Sequence, residues 1–308
     1  MYKAAQGGPP LVITPFCAPN GEPTFAASVN GIAIYLDNWA IKALAKGDTT
    51  LRQRFVVALR NGADILFSIA HAIEILGPQG ASSVAFKTFL NEVGSHWYPL
   101  EFNVFKVMER EAAGMPPDKC CVDEELLRAY FTNRTSGHTP GSGLVIDLSE
   151  QFFKLGTFVD WLAPRRDYFR QKNEELDNIL HDRMGLLRAK FKQDPGRLDK
   201  DQPQPKFHPT RAATFACVGL MRDLISDRGY QIKKGDGIDF FHAVMASAFS
   251  TFATLDKQWK RRVENLPKPN GSPRIYYEPE LGEMVHDIEA ALGQLKEPGK
   301  ASVDIMAR

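Results

Sequence analysis

Residues 31–38 read GIAIYLDN, and the run Ile32–Leu36 decides the fold. Five apolar residues without polar alternation, stopped at Asp37, suit a strand buried on both faces, as in a parallel sheet. Downstream, Asp37-Asn38 leads into WAIKALAKG (39–47), a short helix closed by Gly47. TTLRQRFVVALRNG (49–62) is a second helix, with Leu51, Phe55, Ala58 and Leu59 on one stripe. The unit then recurs: Ala63–Phe67 is strand-like, Ser68 can cap, and IAHAIEILG (69–77) is helical. Strand, helix, strand, helix in this order implies a parallel sheet with crossover helices.

From about Ala81 to Asp194 the pattern is mainly helical. SSVAFKTFLNEV (82–93), EFNVFKVMEREAAG (101–114) and DEELLRAYFTN (123–133) each carry an apolar stripe. A long segment, Arg165–Lys192, places Phe169, Leu176, Leu180, Leu187 and Phe191 near one face. The Gly141-Ser142-Gly143 stretch lacks the lysine of a phosphate loop and reads as a connector. Residues 193–209, QDPGRLDKDQPQPKFHP, form a linker of proline and charge. Sheet-type order then returns: helices over 210–229 and from near Asp239, a strand in STFATLD (250–256), a short basic helix, a strand at Arg274–Tyr277 and a terminal helix. Upstream, LVITPF, Asn20-Gly21 and PTFAASV suggest a hairpin. The expected division is an N-terminal extension over 1–30, an α/β domain over 31–80 and 211–295, and a helical insertion with linker over 81–210.

The composition is that of a globular chain. Its 308 residues are 44% hydrophobic and 24% charged, with 38 Lys plus Arg against 37 Asp plus Glu. These fractions exclude a mostly disordered or fibrous protein. A formal charge of +1 means that any nucleic-acid binding must use a local basic face. The longest apolar candidate, Phe240–Thr254, is interrupted by His242 and several hydroxyls, so no spanning helix is expected. With no secretory signal pattern at the start, the expectation is a cytoplasmic protein without membrane contact. Cys17, Cys120, Cys121 and Cys217 lack metal or redox spacing and read as small hydrophobes.

Ligands of parallel α/β sheets bind at the carboxyl ends of the strands. Two strand-like runs end there in aspartate, IAIYL-Asp37 and FATL-Asp256. Glu74 and Asp239 fall in helices beginning near the same rim, and Asp236 is a candidate fifth acid. Carboxylates converging at one edge repel and raise one another's pKa unless cations sit among them. Hard oxygen donors in that number suit Mg²⁺ or Mn²⁺ and metal-assisted phosphodiester hydrolysis.

The pattern resembles the PIN-domain nucleases, a family with a Rossmann-like three-layer α/β/α fold and a parallel sheet. Their acids close the first strand, sit on the helix after the second, open a late helix and close the next strand. Here IYLD-N places the first at Asp37, FSIAHAIEIL the second at Glu74, IDFFHAVMA the third at Asp239 and ATLDKQW the fourth at Asp256. The last two lie 17 positions apart, the length of about three helical turns plus a short strand. Thr254 matches the family's T-x-D, and Asn38 stands where Thr or Ser is usual. The resemblance covers about 31–80 and 211–280. It implies a PIN-like fold with a large helical insertion and a divalent-metal-dependent ribonuclease, acting most often on single-stranded RNA. Asp37, Glu74, Asp239 and Asp256 would be its metal ligands, with Asn38 and Thr254 as auxiliaries.

Each acid also has a plainer reading. Asp37 can cap the helix it precedes, although Asn38 is a competing cap; Asp236 and Asp239 compete at the later helix. Glu74 can pair with His71, one turn back. His71 and His242 are expected as buried, hydrogen-bonded histidines beside the acids, in preference to ligands of a transition metal. Lys257, Lys260 and Arg261 follow the last acid directly and are candidate phosphate contacts. The alternative function is a catalytically inactive PIN-like module that binds nucleic acid or a partner protein, with the insertion as the docking surface for a partner or inhibitor.

Overall fold

The computed structural model describes residues 14–17, 23–26, 31–77, 81–135, 154–194, 196–267 and 272–296. The Asn20-Gly21 turn, the Gly141-Ser142-Gly143 connector and residues 297–308 lie outside these. β1 (Thr14–Cys17) and β2 (Pro23–Ala26) pair antiparallel as a separate two-stranded sheet, the hairpin expected within 1–30.

The main sheet comprises β3 (Ile32–Tyr35), β4 (Ala63–Ser68), β5 (Trp97–Leu100), β6 (Phe252–Thr254) and β7 (Arg274–Tyr276). All are parallel, in the order β5-β4-β3-β6-β7. α1 (Asn38–Lys46) and α2 (Thr49–Arg60) connect β3 to β4; α3 (Ile69–Ile75) and α4 (Ala81–Val93) connect β4 to β5. Then come α5 (Val104–Ala112), α6 (Pro117–Cys120), α7 (Glu124–Thr135), α8 (Leu155–Leu162), the 28-residue α9 (Arg166–Gln193) and α10 (Arg197–Asp201). α11 (Ala212–Ser226) and α12 (Asp236–Phe249) lead into β6, α13 (Lys257–Glu264) joins β6 to β7, and α14 (Leu281–Lys296) follows.

The strands are unalternating because both faces are covered. Ala33, Tyr35, Leu66 and Tyr98 pack against α5, α9, α11 and α12 in one core. Ile32, Ile34, Leu36, Ile65, Phe67 and Trp97 pack against α1, α2, α4, α8 and α14 in the other. This is a three-layer α/β/α arrangement carrying a helical insertion. Cys120, Cys121 and Cys217 are buried free thiols within the first core. Among the described residues, no helix is long and apolar enough to cross a membrane.

The boundary expected at residue 81 is corrected in one respect. α4 and β5 extend the sheet, so the purely helical stretch starts after Leu100. WYPL hides its strand because Pro99 donates no ladder hydrogen bond; β5 tolerates it as an edge strand, whose outer side carries an isolated bridge from Leu100 to Val122.

Side chains of the inserted helices satisfy the ends of α11 and α12. α11 has no side-chain cap of its own. Glu111 of α5, 2% exposed, accepts from the amides of Ala213 and Thr214, each at 2.8 Å, and from the Thr214 hydroxyl at 2.6 Å. At the other end of α11, Arg188 of α9 donates to the carbonyls of Leu224 (2.9 and 2.6 Å), Asp227 (2.8 Å) and Tyr230 (2.6 Å). An acid at the N-terminus and a guanidinium at the C-terminus both complement the helix dipole. Removing a buried acceptor strands its donors. Glu111→Ala is therefore expected to lower the unfolding free energy by about 2–4 kcal/mol, with Glu111→Gln costing less because one acceptor oxygen remains. Urea denaturation at constant m-value measures both.

Candidate metal centre

The candidate site forms where β3 and β6 end side by side. β3 pairs with β6 through Ile34 with Phe252 and Tyr35 with Ala253, which brings Leu36 level with Thr254. The fully buried Thr254 hydroxyl accepts the Asp37 amide at 2.7 Å and ties the two strand ends together. The T-x-D spacing thereby sets Asp37 and Asp256 on neighbouring strand ends.

Asp37 is the N-cap of α1, its Oδ1 accepting the Asn38 amide at 2.6 Å. The competing cap expected at Asn38 is therefore not realised. Asn38 occupies the first helical position, and its Oδ1 is buried without a hydrogen-bond partner. Asp256 is exposed and caps α13, accepting the Trp259 amide at 2.7 Å. Neither Asp236 nor Asp239 caps α12: the N-cap is Gly235, at φ +99°. Asp236 is engaged in the preceding turn, where its Oδ2 accepts the Lys233 amide at 2.5 Å. Asp239 projects from the first turn of α12, with His242 three residues on and on the same side of the helix.

Glu74 pairs with a different histidine from the one its own helix suggests. Its Oε1 lies 3.8 Å from Nε2 of His242, an ion-pair distance too long for a hydrogen bond. Tyr35, wholly buried on β3, shares a 2.5 Å hydrogen bond with Nδ1 of His242. His71 packs against His242 with ring centroids 4.9 Å apart. Its Nδ1 accepts the Ser68 amide at 3.0 Å, which leaves the ring proton on Nε2. Both histidines are thus buried and hydrogen-bonded, as expected.

Electrostatics bind these groups into one unit. Burial raises the Asp37 carboxyl from 3.8 to about 6; Glu74 and Asp256 push the same way, opposed by His242 and the Asn38 amide. Burial raises Asp239 to about 7, with His242 opposing and Asp37, Asp256 and Glu74 adding to the rise. For His242, burial favours the neutral ring, but Glu74, Asp37 and Asp239 outweigh it and hold the pKa above its ordinary value. His71 is driven far the other way, by burial and then by His242. The Tyr35 hydroxyl is held well above its usual value by burial, then by Asp37, Glu74 and Asp239. Glu74 and Asp256 therefore act on both Asp37 and Asp239, and His242 opposes them at each aspartate.

Among the described residues, no group of three or more His, Cys, Asp or Glu is arranged as a ready metal-binding set. The carboxylates share an electrostatic neighbourhood without sharing a coordination shell. The chemistry of the donors fits a hard divalent cation: carboxylates of which Asp37 and Asp239 have raised pKa, beside the buried Asn38 Oδ1, which has no hydrogen-bond partner.

The basic residues after Asp256 divide by partner. Lys260 is bound to Glu280 at 2.5 Å and lies 5.1 Å from the Tyr277 ring centroid. Lys257 and Arg261 are exposed and have no ion-pair partner among the described residues. Sequence reading missed Tyr35, because on a strand buried on both faces a tyrosine reads as one more core residue. It also missed the carboxylate that caps α12 from α9, for which the close pair Gly235 and Gly237 was the available signal. No protein-family model, no curated protein and no solved structure matches the chain.

The shifts predict how stability depends on pH. Asp37 and Asp239 hold protons in the folded chain over the range between 3.8 and about 6–7, where the unfolded chain has released them. His242, with its raised pKa, also binds its proton more tightly when folded. Stability is therefore present at low pH and falls as pH rises from about 4 through 7. Asp239→Asn is expected to flatten that decline and to raise stability at pH 8 by on the order of 1–3 kcal/mol. Melting curves of the metal-free protein and the variant between pH 5 and 8 test this.

Proposed function

We propose that this protein is a divalent-metal-dependent endonuclease of the PIN-like kind, hydrolysing phosphodiester bonds in single-stranded RNA. The observation that carries the reading is the gathering of acids at the carboxyl edge of a parallel sheet, where Glu74 and Asp256 both raise the carboxyls of Asp37 and Asp239. Those four carboxylates would hold Mg²⁺ or Mn²⁺, which when bound supplies the Lewis acidity that phosphodiester hydrolysis requires.

The protein's own residues prepare the site. Thr254 holds the backbone of Asp37 and so fixes one carboxylate relative to the end of β6. Tyr35 fixes the ring of His242 through Nδ1, which turns Nε2 toward Glu74. His242, its pKa raised by these acids, favours the ionised form of Asp37 and Asp239 in return. Lys257 and Arg261, exposed on α13 next to Asp256, would meet backbone phosphates without reading bases.

Two observations favour a second reading, an inactive module that binds nucleic acid or a partner protein. Asp37 and Asp256 each already serve a helix N-terminus, and no ready ligand set exists among the described residues. Cleavage of labelled single-stranded RNA separates the readings. Wild type with Mn²⁺ is expected to cleave, EDTA to abolish cleavage, and Asp37→Asn or Asp256→Asn to lower the rate at least about 100-fold with folding retained. Cleavage untouched by EDTA or by both variants refutes the metal mechanism, and metal-insensitive binding without cleavage supports the module. Lys257→Ala and Arg261→Ala are each expected to weaken RNA binding in every sequence context and to reduce the salt slope by about 1.

A further inference from the structure

We infer that Asp177, on the inserted helix α9, is a positioning residue for the candidate site, because it caps the helix that carries Asp239 and His242. This rests on the site reading above and extends it to a residue far away in the chain.

α12 opens without any side-chain cap from its own segment. Asp177 supplies both missing acceptors: Oδ2 takes the Gly235 amide at 2.9 Å and Oδ1 takes the Gly237 amide at 2.8 Å. Asp177 is only 4% exposed, so these are charge-assisted bonds in a largely dry setting. The two glycines are what the contact demands. Gly235 adopts φ +99°, a conformation that favours glycine. A Cβ on Gly237 would lie 2.5 Å from Asp177 Oδ1 and 2.9 Å from its Cα, so a side chain there would drive α9 off the helix end. The sequence GDG at 235–237 thus fits a carboxylate delivered from α9.

The lever arm is short. Asp239 sits two residues past Gly237, and its own amide bonds the Gly235 carbonyl at 3.1 Å within the capped turn. His242, one turn further, makes the contacts to Tyr35 and Glu74. The leading charges acting on Asp239 are His242, Asp37, Asp256 and Glu74, so Asp177 works through the position of the backbone. The insertion therefore contributes to the site directly, and a shift of α9 would loosen the helix that presents two of its members.

Glu111 provides the control. It is an equally buried carboxylate that caps α11, which bears none of the candidate site residues. The experiment compares wild type, Asp177→Asn, Asp177→Ala and Glu111→Gln by hydrogen exchange of the α12 amides, by the His242 ring proton NMR signals at fixed pH, and by Mn²⁺ binding. Asp177→Asn keeps one acceptor and is expected to speed exchange at Gly237 and the next turn by about tenfold, with Asp177→Ala greater. Both should move the His242 signals and weaken Mn²⁺ binding at least about fivefold. Glu111→Gln is expected to lower the melting temperature while leaving all three unchanged. Unaltered α12 exchange and His242 signals in the Asp177 variants would overturn the assignment, as would equal changes in Glu111→Gln. If Asp177→Ala fails to fold, Asp177→Asn alone decides. If wild type binds no Mn²⁺, the metal reading fails, and the exchange and His242 measurements still decide the role of Asp177.

Discussion

Like charges gathered at one end of a sheet are the condition to which the surrounding structure answers. Asp37, Glu74 and Asp239 come from a strand end and two helices; Glu74 favours protonation of both aspartates, and Asp37 favours that of Asp239. The imidazole of His242 is the compensating group: burial favours its neutral form, and the surrounding acids outweigh that and raise its pKa above the ordinary value. Its orientation depends in turn on the Tyr35 hydroxyl, so a residue of the apolar core serves the polar edge. Beside the pair, His71 is kept neutral by burial and by His242 itself, which prevents a second buried cation from competing. Two adjacent histidines thus hold opposite protonation preferences through position alone.

A second theme is the treatment of helix ends. Asp37, Asp48 and Asp256 cap helices from within their own segments. α11 and α12 instead receive their polar partners from elements distant in the chain, Glu111, Arg188 and Asp177. Each partner is tied to several backbone groups, so the inserted helices cannot be displaced without leaving donors or acceptors unsatisfied. Apolar packing along α9, through Leu180, Met184 and Phe191, aligns the helix, and the polar contacts fix its register. The insertion and the sheet layer therefore share one core.

Much of the fold was legible because its signals are local. The run Ile32–Leu36 announced a doubly covered strand, and the apolar stripe of α9 was visible in its periodicity. β5 was hidden by Pro99, whose local preference conflicts with a strand until an edge position removes the conflict. At the candidate site, the four acids could be chosen from their places at strand and helix ends, and the chain brings them into one electrostatic neighbourhood. The partner of Glu74 could not be chosen that way. His71 is one turn away in sequence, but His242 arrives from the opposite side of a gap of 168 positions.

By itself the sequence determined most of the strands and helices, β5 excepted, the parallel character of the sheet, and which carboxylates stand at strand ends. These follow from spacing and from short-range backbone preferences, both of which operate over a few residues. Only the tertiary structure decided that Asp37 caps α1, that Tyr35 and Glu74 both address His242, and that Asp177 holds the end of α12. Such pairings join residues far apart in the chain, and they depend on the register of strands and the seating of helices. Hydrogen bonds and charge interactions are short-ranged in space and indifferent to separation along the chain, so folding must finish before they are defined.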